Sequence, residues 1–175
     1  MPLSARDIEK VYTWRGTMPV QFLYTAGVAG ERFFRTLRRR GKFAITRCAE
    51  CDITYLPPRL YCERCFGDLS DTWAEVAPTG RVHTFTVVHL DREGRRLATP
   101  EIIVFVRITG TNGGLVSRLL YVRPEEVHLD MPVQAVLAPP RQRRGTLEDV
   151  RGFAPPAAAS PTRTRRRSRG SGRSR

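Results

Sequence analysis

Cys48-Ala-Glu-Cys51 and Cys62-Glu-Arg-Cys65 contain all four cysteines of this 175-residue chain, with ten residues between the pairs. The two-residue gap within each pair lets both sulfurs point inward from one tight turn, a knuckle. Ten residues suffice for a short hairpin that sets the second knuckle opposite the first. Four thiolates placed this way close a tetrahedral shell around one zinc ion and leave no position open to a substrate, so the predicted site is structural. Two disulfides and a redox-active C-x-x-C are the competing readings. No secretory signal precedes the cysteines. That points to a reducing, cytoplasmic setting, where disulfides are disfavoured.

The flanks of the cysteines read as a ribbon. Phe43 to Arg47 leads into the first knuckle and Ile53 to Leu56 leads away, while Pro57-Pro58-Arg59 blocks a continued strand and delivers the chain to Cys62. Knuckle turns favour a residue that tolerates positive φ directly after the second cysteine. Asp52 and Phe66 take those places, with Gly67 one step later. Aspartate is a fair substitute for glycine there and phenylalanine is not, so the second turn is predicted to be displaced by one residue.

Before the ribbon the pattern is helical. Ser4 and Asp7 resemble a capping arrangement ahead of Ile8, Val11 and Tyr12, and a second helix runs from Thr25 or Gly27 to Arg40, with Phe33, Phe34 and Leu37 on its apolar side. Arg35, Arg38, Arg39 and Arg40 lie beside or behind that side, and Gly41 is a natural stop. After the ribbon the pattern becomes that of strands. Val82, Thr84, Thr86 and Val88 alternate with His83, Phe85, Val87 and His89. Ile102 to Ile108 reads as a buried strand, and Thr111-Asn112-Gly113-Gly114 is a hairpin signal leading to Leu115–Val122. A helical turn at Pro124–Val127 and a strand at Val133–Ala138 follow. With a fifth strand around Trp73–Ala77, these elements fit a five-stranded OB-type barrel. The expected fold class is α+β, mainly β: N-terminal helices, a rubredoxin-like zinc ribbon and a C-terminal OB-fold barrel. The expected boundaries are 1–41 (helical), 42–75 (ribbon), 76–140 (OB-fold) and 141–175 (linker and disordered Arg-rich tail).

Charge adds one further element. The formal net charge is +13, and about half of it comes from seven arginines between Arg163 and Arg175. This stretch holds only Arg, Ser, Thr and Gly after Thr162, so it has nothing apolar to bury and is expected to be disordered. It attracts polyanions, but no aromatic is interleaved to stack on bases. No run of about 18 apolar residues suggests a membrane span.

Taken in order, the helix, the two C-x-x-C pairs around Pro57-Pro58-Arg59, Trp73, Gly80-Arg81-Val82, Thr86-Val87-Val88-His89 and Asp130-Met131-Pro132 closely resemble one family. These are the zinc-ribbon/OB-fold acyl-CoA-associated proteins, grouped as domain of unknown function 35. The resemblance spans roughly Gly27 to Ala138. It implies a non-catalytic accessory subunit that docks on a larger thiolase, thiolase-like acyl-CoA synthase, retro-aldolase or acyl-CoA hydratase chain, in a hetero-oligomer such as a 2:2 complex. It also implies a role in enclosing the acyl-CoA. Arginines for phosphate and aromatics for adenine or acyl group are the side chains such a role would use, and Phe33, Phe34, Arg59, Tyr61 and Phe66 are the candidates.

Catalysis by this chain itself is not expected. All four cysteines are committed to metal, so no thiol nucleophile remains. His83 and His89 share a predicted strand face and could be imagined as a general base with a partner, but strand histidines are more often structural. His128 has no apparent partner, and Gly-x-Ser-x-Gly, Walker and dinucleotide motifs are absent from the sequence. The alternative class is a single-stranded nucleic-acid binder, since OB-folds, zinc ribbons and arginine tails also serve that purpose.

Overall fold

Helix α1, Gly27–Arg40, forms where apolar side chains recur on one side of an arginine-rich stretch. It stops at Gly41, whose φ of 64° lets its N–H donate to the Leu37 carbonyl at 3.0 Å. The computed structural model describes residues 25–156; the Ser4–Tyr12 helix and the arginine tail lie outside them. Strands β1 (Phe43–Cys48) and β2 (Ile53–Tyr55) flank the first knuckle and pair antiparallel. Strand β3, Trp73–Val76, pairs with the other edge of β1, Phe43 opposite Val76 and Thr46 opposite Trp73. The ribbon is therefore three-stranded in the order β2-β1-β3.

This corrects the expected barrel strand at Trp73–Ala77. Its side chains hold it to the ribbon side of the molecule. The Arg32 guanidinium stacks over the Trp73 ring at 4.4 Å, and Arg40 pairs with Glu75 at 3.1 Å.

The barrel comprises β4 (Thr79–Leu90), β5 (Arg96–Ile108), β6 (Gly114–Arg118), β7 (Pro132–Leu137) and β8 (Val150–Ala154), in the sheet order β6-β5-β4-β7-β8. A parallel bridge between Leu119 and Phe153 closes it, with the Leu120 N–H donating to the Phe153 carbonyl at 2.7 Å. The fifth strand thus lies beyond Pro140, inside the segment expected to be linker. Its short run, Val-Arg-Gly-Phe-Ala, lacks clean alternation; pairing with β7 and closure on Leu119 define it. One core unites α1, β1 and the barrel through Phe33, Leu37, Phe43, Val104, Val106 and Phe153.

Strand β4 also departs from simple alternation. Its pairing with β5 slips at His83 and again at His89. Before the first bulge Val82 faces Val106; after it Phe85 faces Val104 and Val87 faces Ile102. Residues directly opposite share a face, so the inward set changes from even to odd positions at His83. The expected single face of Val82, Thr84, Thr86 and Val88 is therefore split. His83 and His89 sit exposed at irregularities in the strand.

The turn that leads into β8 is fixed by Asp149, only 3% exposed. Its carboxylate accepts backbone N–H groups from Arg144 at 2.9 Å, Gly145 at 2.7 Å and Thr146 at 3.4 Å. Burial alone pushes the carboxyl up, but the three donors outweigh it and hold the group below its ordinary 3.8. A depressed folded-state value means that the stability is complete at neutral pH and is lost as acid carries the group through that value. Asp149→Ala leaves those donors unpaired. It is expected to lower the unfolding free energy by about 2–3 kcal/mol in denaturant titrations at pH 7, with a smaller loss at acid pH.

Candidate functional site

The two knuckles bring the four cysteine sulfurs within 4.8 Å of one another. Cys48 and Cys62 are buried, Cys51 is half-buried and Cys65 is the most accessible; none is in a disulfide. The Cys48 and Cys65 sulfurs lie 3.5 Å apart, far beyond the roughly 2.05 Å of a disulfide. Tetrahedral zinc with Zn–S bonds of about 2.3 Å demands sulfur separations of about 3.8 Å, so the constellation fits that ion. Cys48, Cys51, Cys62 and Cys65 would complete a closed tetrathiolate, with no protein-free position on the metal.

The shell around Cys62 supports its thiolate form, whereas the neighbouring sulfurs push the Cys65 thiol up to about 12 and burial pushes the Cys51 thiol up. The Tyr55 hydroxyl donates to Cys62 Sγ at 3.2 Å and the Arg64 N–H points at the same sulfur at 3.4 Å. The Cys65 N–H, then the Tyr55 hydroxyl, lower the Cys62 thiol from 9.0 to about 6. Tyr55 is held in turn by the Glu63 N–H at 3.2 Å. Apart from the sulfurs, Ile53, Tyr55 and Leu69 form the only buried packing in a second, small core separate from the main one. So few apolar groups cannot offset the ordering entropy of both knuckles, and the metal is expected to supply the balance.

At the second knuckle the expected displacement does not occur. Phe66 itself adopts φ 57°, as Asp52 does at φ 51° in the first. The Phe66 N–H bonds to the Cys62 carbonyl at 3.0 Å, and the Cys62 N–H to the Gly67 carbonyl at 3.0 Å. Gly67 serves a different need, because a Cβ there would lie 3.3 Å from Cys65 Sγ. The Phe66 ring projects into solvent, 78% exposed, so only the intrinsic left-handed cost of about 1–2 kcal/mol opposes the turn. Phe66→Gly removes that cost while adding unfolded-state freedom. It is expected to raise stability by roughly 0.5–1 kcal/mol, seen as a higher melting temperature at constant zinc content.

The five candidate contact residues do not converge. Phe33, 3% exposed, stacks on Phe43 with ring centres 5.7 Å apart and belongs to the core. Phe34 is half-buried and meets Phe33 edge-on. Arg59, Tyr61 and Phe66 are each exposed in the segment around the second knuckle. Arg59 pairs with Glu63 at 2.6 Å and rests over the Tyr55 ring, while its backbone N–H and carbonyl both bond the Thr46 hydroxyl. Asp149 and the arginines near it fall in 141–156, inside the stretch expected to be linker. Thr146-Leu-Glu-Asp149, a capping pattern, was the available signal.

A four-cysteine ribbon sharing one core with an OB-fold barrel defines the class of this protein. Family models match both parts: the ChsH2 rubredoxin-like zinc ribbon domain over residues 35–70 and the ChsH2 C-terminal OB-fold domain over residues 73–138. Together they span more than half of the chain, which belongs to this family of zinc-ribbon/OB-fold proteins, domain of unknown function 35. A "DUF35 domain-containing scaffold protein" of Methanocaldococcus jannaschii is 25% identical over 105 residues, 60% of this chain and 74% of the relative. A solved DUF35 protein of unknown function from Sulfolobus solfataricus superposes with a TM-score of 0.54 at 28% identity, over 63% of this chain and 78% of its own. The structure described as "Ltp2-ChsH2(DUF35) aldolase" shares the fold with a TM-score of 0.50 at 24% identity, over 71% and 91% of the two chains. No helix among the described residues is long and apolar enough to cross a membrane.

Proposed function

We propose that this chain is a non-catalytic accessory subunit. It docks on a larger thiolase-superfamily enzyme (thiolase, acyl-CoA synthase or retro-aldolase) or on an acyl-CoA hydratase, in a cytoplasmic 2:2 complex, and helps bind or channel the acyl-CoA. The observation that carries this reading is membership, through both ribbon and barrel, of a family with a named scaffold protein. A fold neighbour described together with an aldolase partner supports it.

The surface is consistent with docking. Phe66 and Tyr61 stand exposed on a rigid, metal-fixed turn, where a left-handed phenylalanine is an outlier of the kind found at binding sites. The zinc holds that turn and takes no part in chemistry. The barrel strands offer little to a nucleic acid: among the described residues Phe85 is their single exposed phenylalanine, tyrosine or tryptophan, whereas base-stacking sheets use several. The arginine tail binds polyanions non-specifically.

The test is turnover of acyl-CoA by the purified large subunit with and without this chain. The rate is expected to fall at least tenfold in its absence. An unchanged rate and an unchanged KM would refute the accessory role.

A further inference from the structure

Helix α1 and the turn before β8 flank an open recess of about 410 Å³ lined by Glu31, Phe34, Arg35, Arg38, Arg39 and Arg144, with Ala26 and Gly145. Residues 35, 38 and 39 fall on one helical face, and Arg144 reaches the same space from more than a hundred residues away. Charge here is only partly compensated. Glu31 pairs with Arg35 at 3.1 Å, and Arg40 turns away to Glu75. Arg38, Arg39 and Arg144 have no carboxylate partner among the described residues. The nearest buried acid, Asp149, spends its oxygens on backbone N–H groups and so fixes the turn that carries Arg144. A second recess of about 490 Å³ shares Arg144 and is lined by Arg141, Arg143 and Arg151 together with Glu148.

A solvated helix face explains arginines on α1 alone. It does not explain an arginine supplied by a distant turn, held by a buried carboxylate, over a concave space that also presents an aromatic ring. Guanidinium groups arranged in a fork suit phosphate oxygens, and the volume falls in the range of small-ligand sites. We propose that this recess takes the phosphorylated adenosine head of CoA, the arginines on the phosphates and Phe34 against the base. The assignment rests on the acyl-CoA reading above. It moves the contact away from Arg59, Tyr61 and Phe66, which it leaves free to meet the partner enzyme.

The test is calorimetric titration of the full-length, zinc-loaded protein with adenosine 3′,5′-bisphosphate, CoA and ADP. Three proteins are compared: the unaltered chain, R38A/R144A, and a tail control, R165A/R166A/R167A. The expected result is saturable binding of the bisphosphate and of CoA, about a hundredfold weaker in R38A/R144A and unchanged in the tail control. ADP, lacking the 3′-phosphate, is expected to bind about tenfold less tightly. Zinc content and melting temperature of R38A/R144A should match the unaltered protein, since both side chains are exposed. Binding that survives R38A/R144A but vanishes in the tail control would overturn the site as polyelectrolyte attraction. Equal affinity for ADP, or saturable binding of an oligonucleotide in place of CoA, would overturn the ligand assignment. If no nucleotide binds while turnover by the large subunit still requires this chain, the recess assignment fails and the accessory role stands. Binding without any effect on turnover supports the site and removes that role.

Discussion

Cys48→Ser is expected to abolish stoichiometric zinc binding and to unfold the ribbon while leaving much of the barrel sheet paired. Cys48 closes β1, and its sulfur sits 3.5 Å from that of Cys65, so one substitution opens the shell and detaches the first knuckle from the second. Structural zinc in small domains supplies on the order of 10 kcal/mol of apparent binding free energy, all of it folding energy where the apo site is disordered. Around the knuckles themselves the separate core adds only Ile53, Tyr55 and Leu69 to the sulfurs. Metal analysis should read close to zero, and hydrogen exchange should show β2 and the second knuckle unprotected. Retention of both metal and melting temperature would refute the tetrathiolate.

Gly113→Ala is expected to be the most damaging change outside the metal centre. The β5–β6 hairpin carries Asn112 and Gly113 against the ribbon. The Asn112 N–H donates to the Thr54 carbonyl at 2.9 Å, and its side-chain oxygen accepts the Thr54 N–H at 2.8 Å. This clasp covers the free edge of β2 and ties ribbon to barrel. A Cβ on Gly113 would overlap the Leu56 carbonyl oxygen, a backbone atom that cannot rotate away. The hairpin must lift, losing both hydrogen bonds, at an expected cost of about 3 kcal/mol or more. Gly110→Ala is the control: its φ of 80° makes alanine strained, yet nothing lies within 4 Å of the added methyl. It should cost only about 1–2 kcal/mol. Equal denaturation midpoints for the two variants would show that the close approach at Leu56 has no energetic weight.

Features set by local chemistry were legible in the sequence. The cysteine spacing, the α1 periodicity with its glycine stop, and the Thr-Asn-Gly-Gly hairpin each act within a few residues. The zinc ribbon and OB-fold followed from their order. What escaped depends on partners distant in the chain. Trp73–Val76 reads equally well as a barrel or a ribbon strand, and only its register against Phe43–Thr46 assigns it. Val150–Ala154 is a strand because β7 and Leu119 accept it, not because its own pattern demands one. The bulge at His83 leaves no mark in composition yet inverts the faces beyond it. The intrinsic dislike of phenylalanine for positive φ argues against Phe66 in this turn, but the knuckle's hydrogen bonds outweigh it. The arginine recess was half visible: the helix cluster stood out, while Arg144 lay in a stretch read as linker.

The central claim, that this ribbon and barrel serve a larger enzyme, is tested most directly by what the protein carries when isolated. A tagged version ending at residue 156 keeps β8 and removes the arginine tail, so nucleic acid cannot mimic a partner. Purified from the native organism and weighed intact by mass spectrometry, it is predicted to emerge with a thiolase-superfamily or hydratase chain in near one-to-one ratio, at the mass of a 2:2 complex. Recovery as a lone, monodisperse species, or with nucleic acid as its stoichiometric companion, would contradict the account.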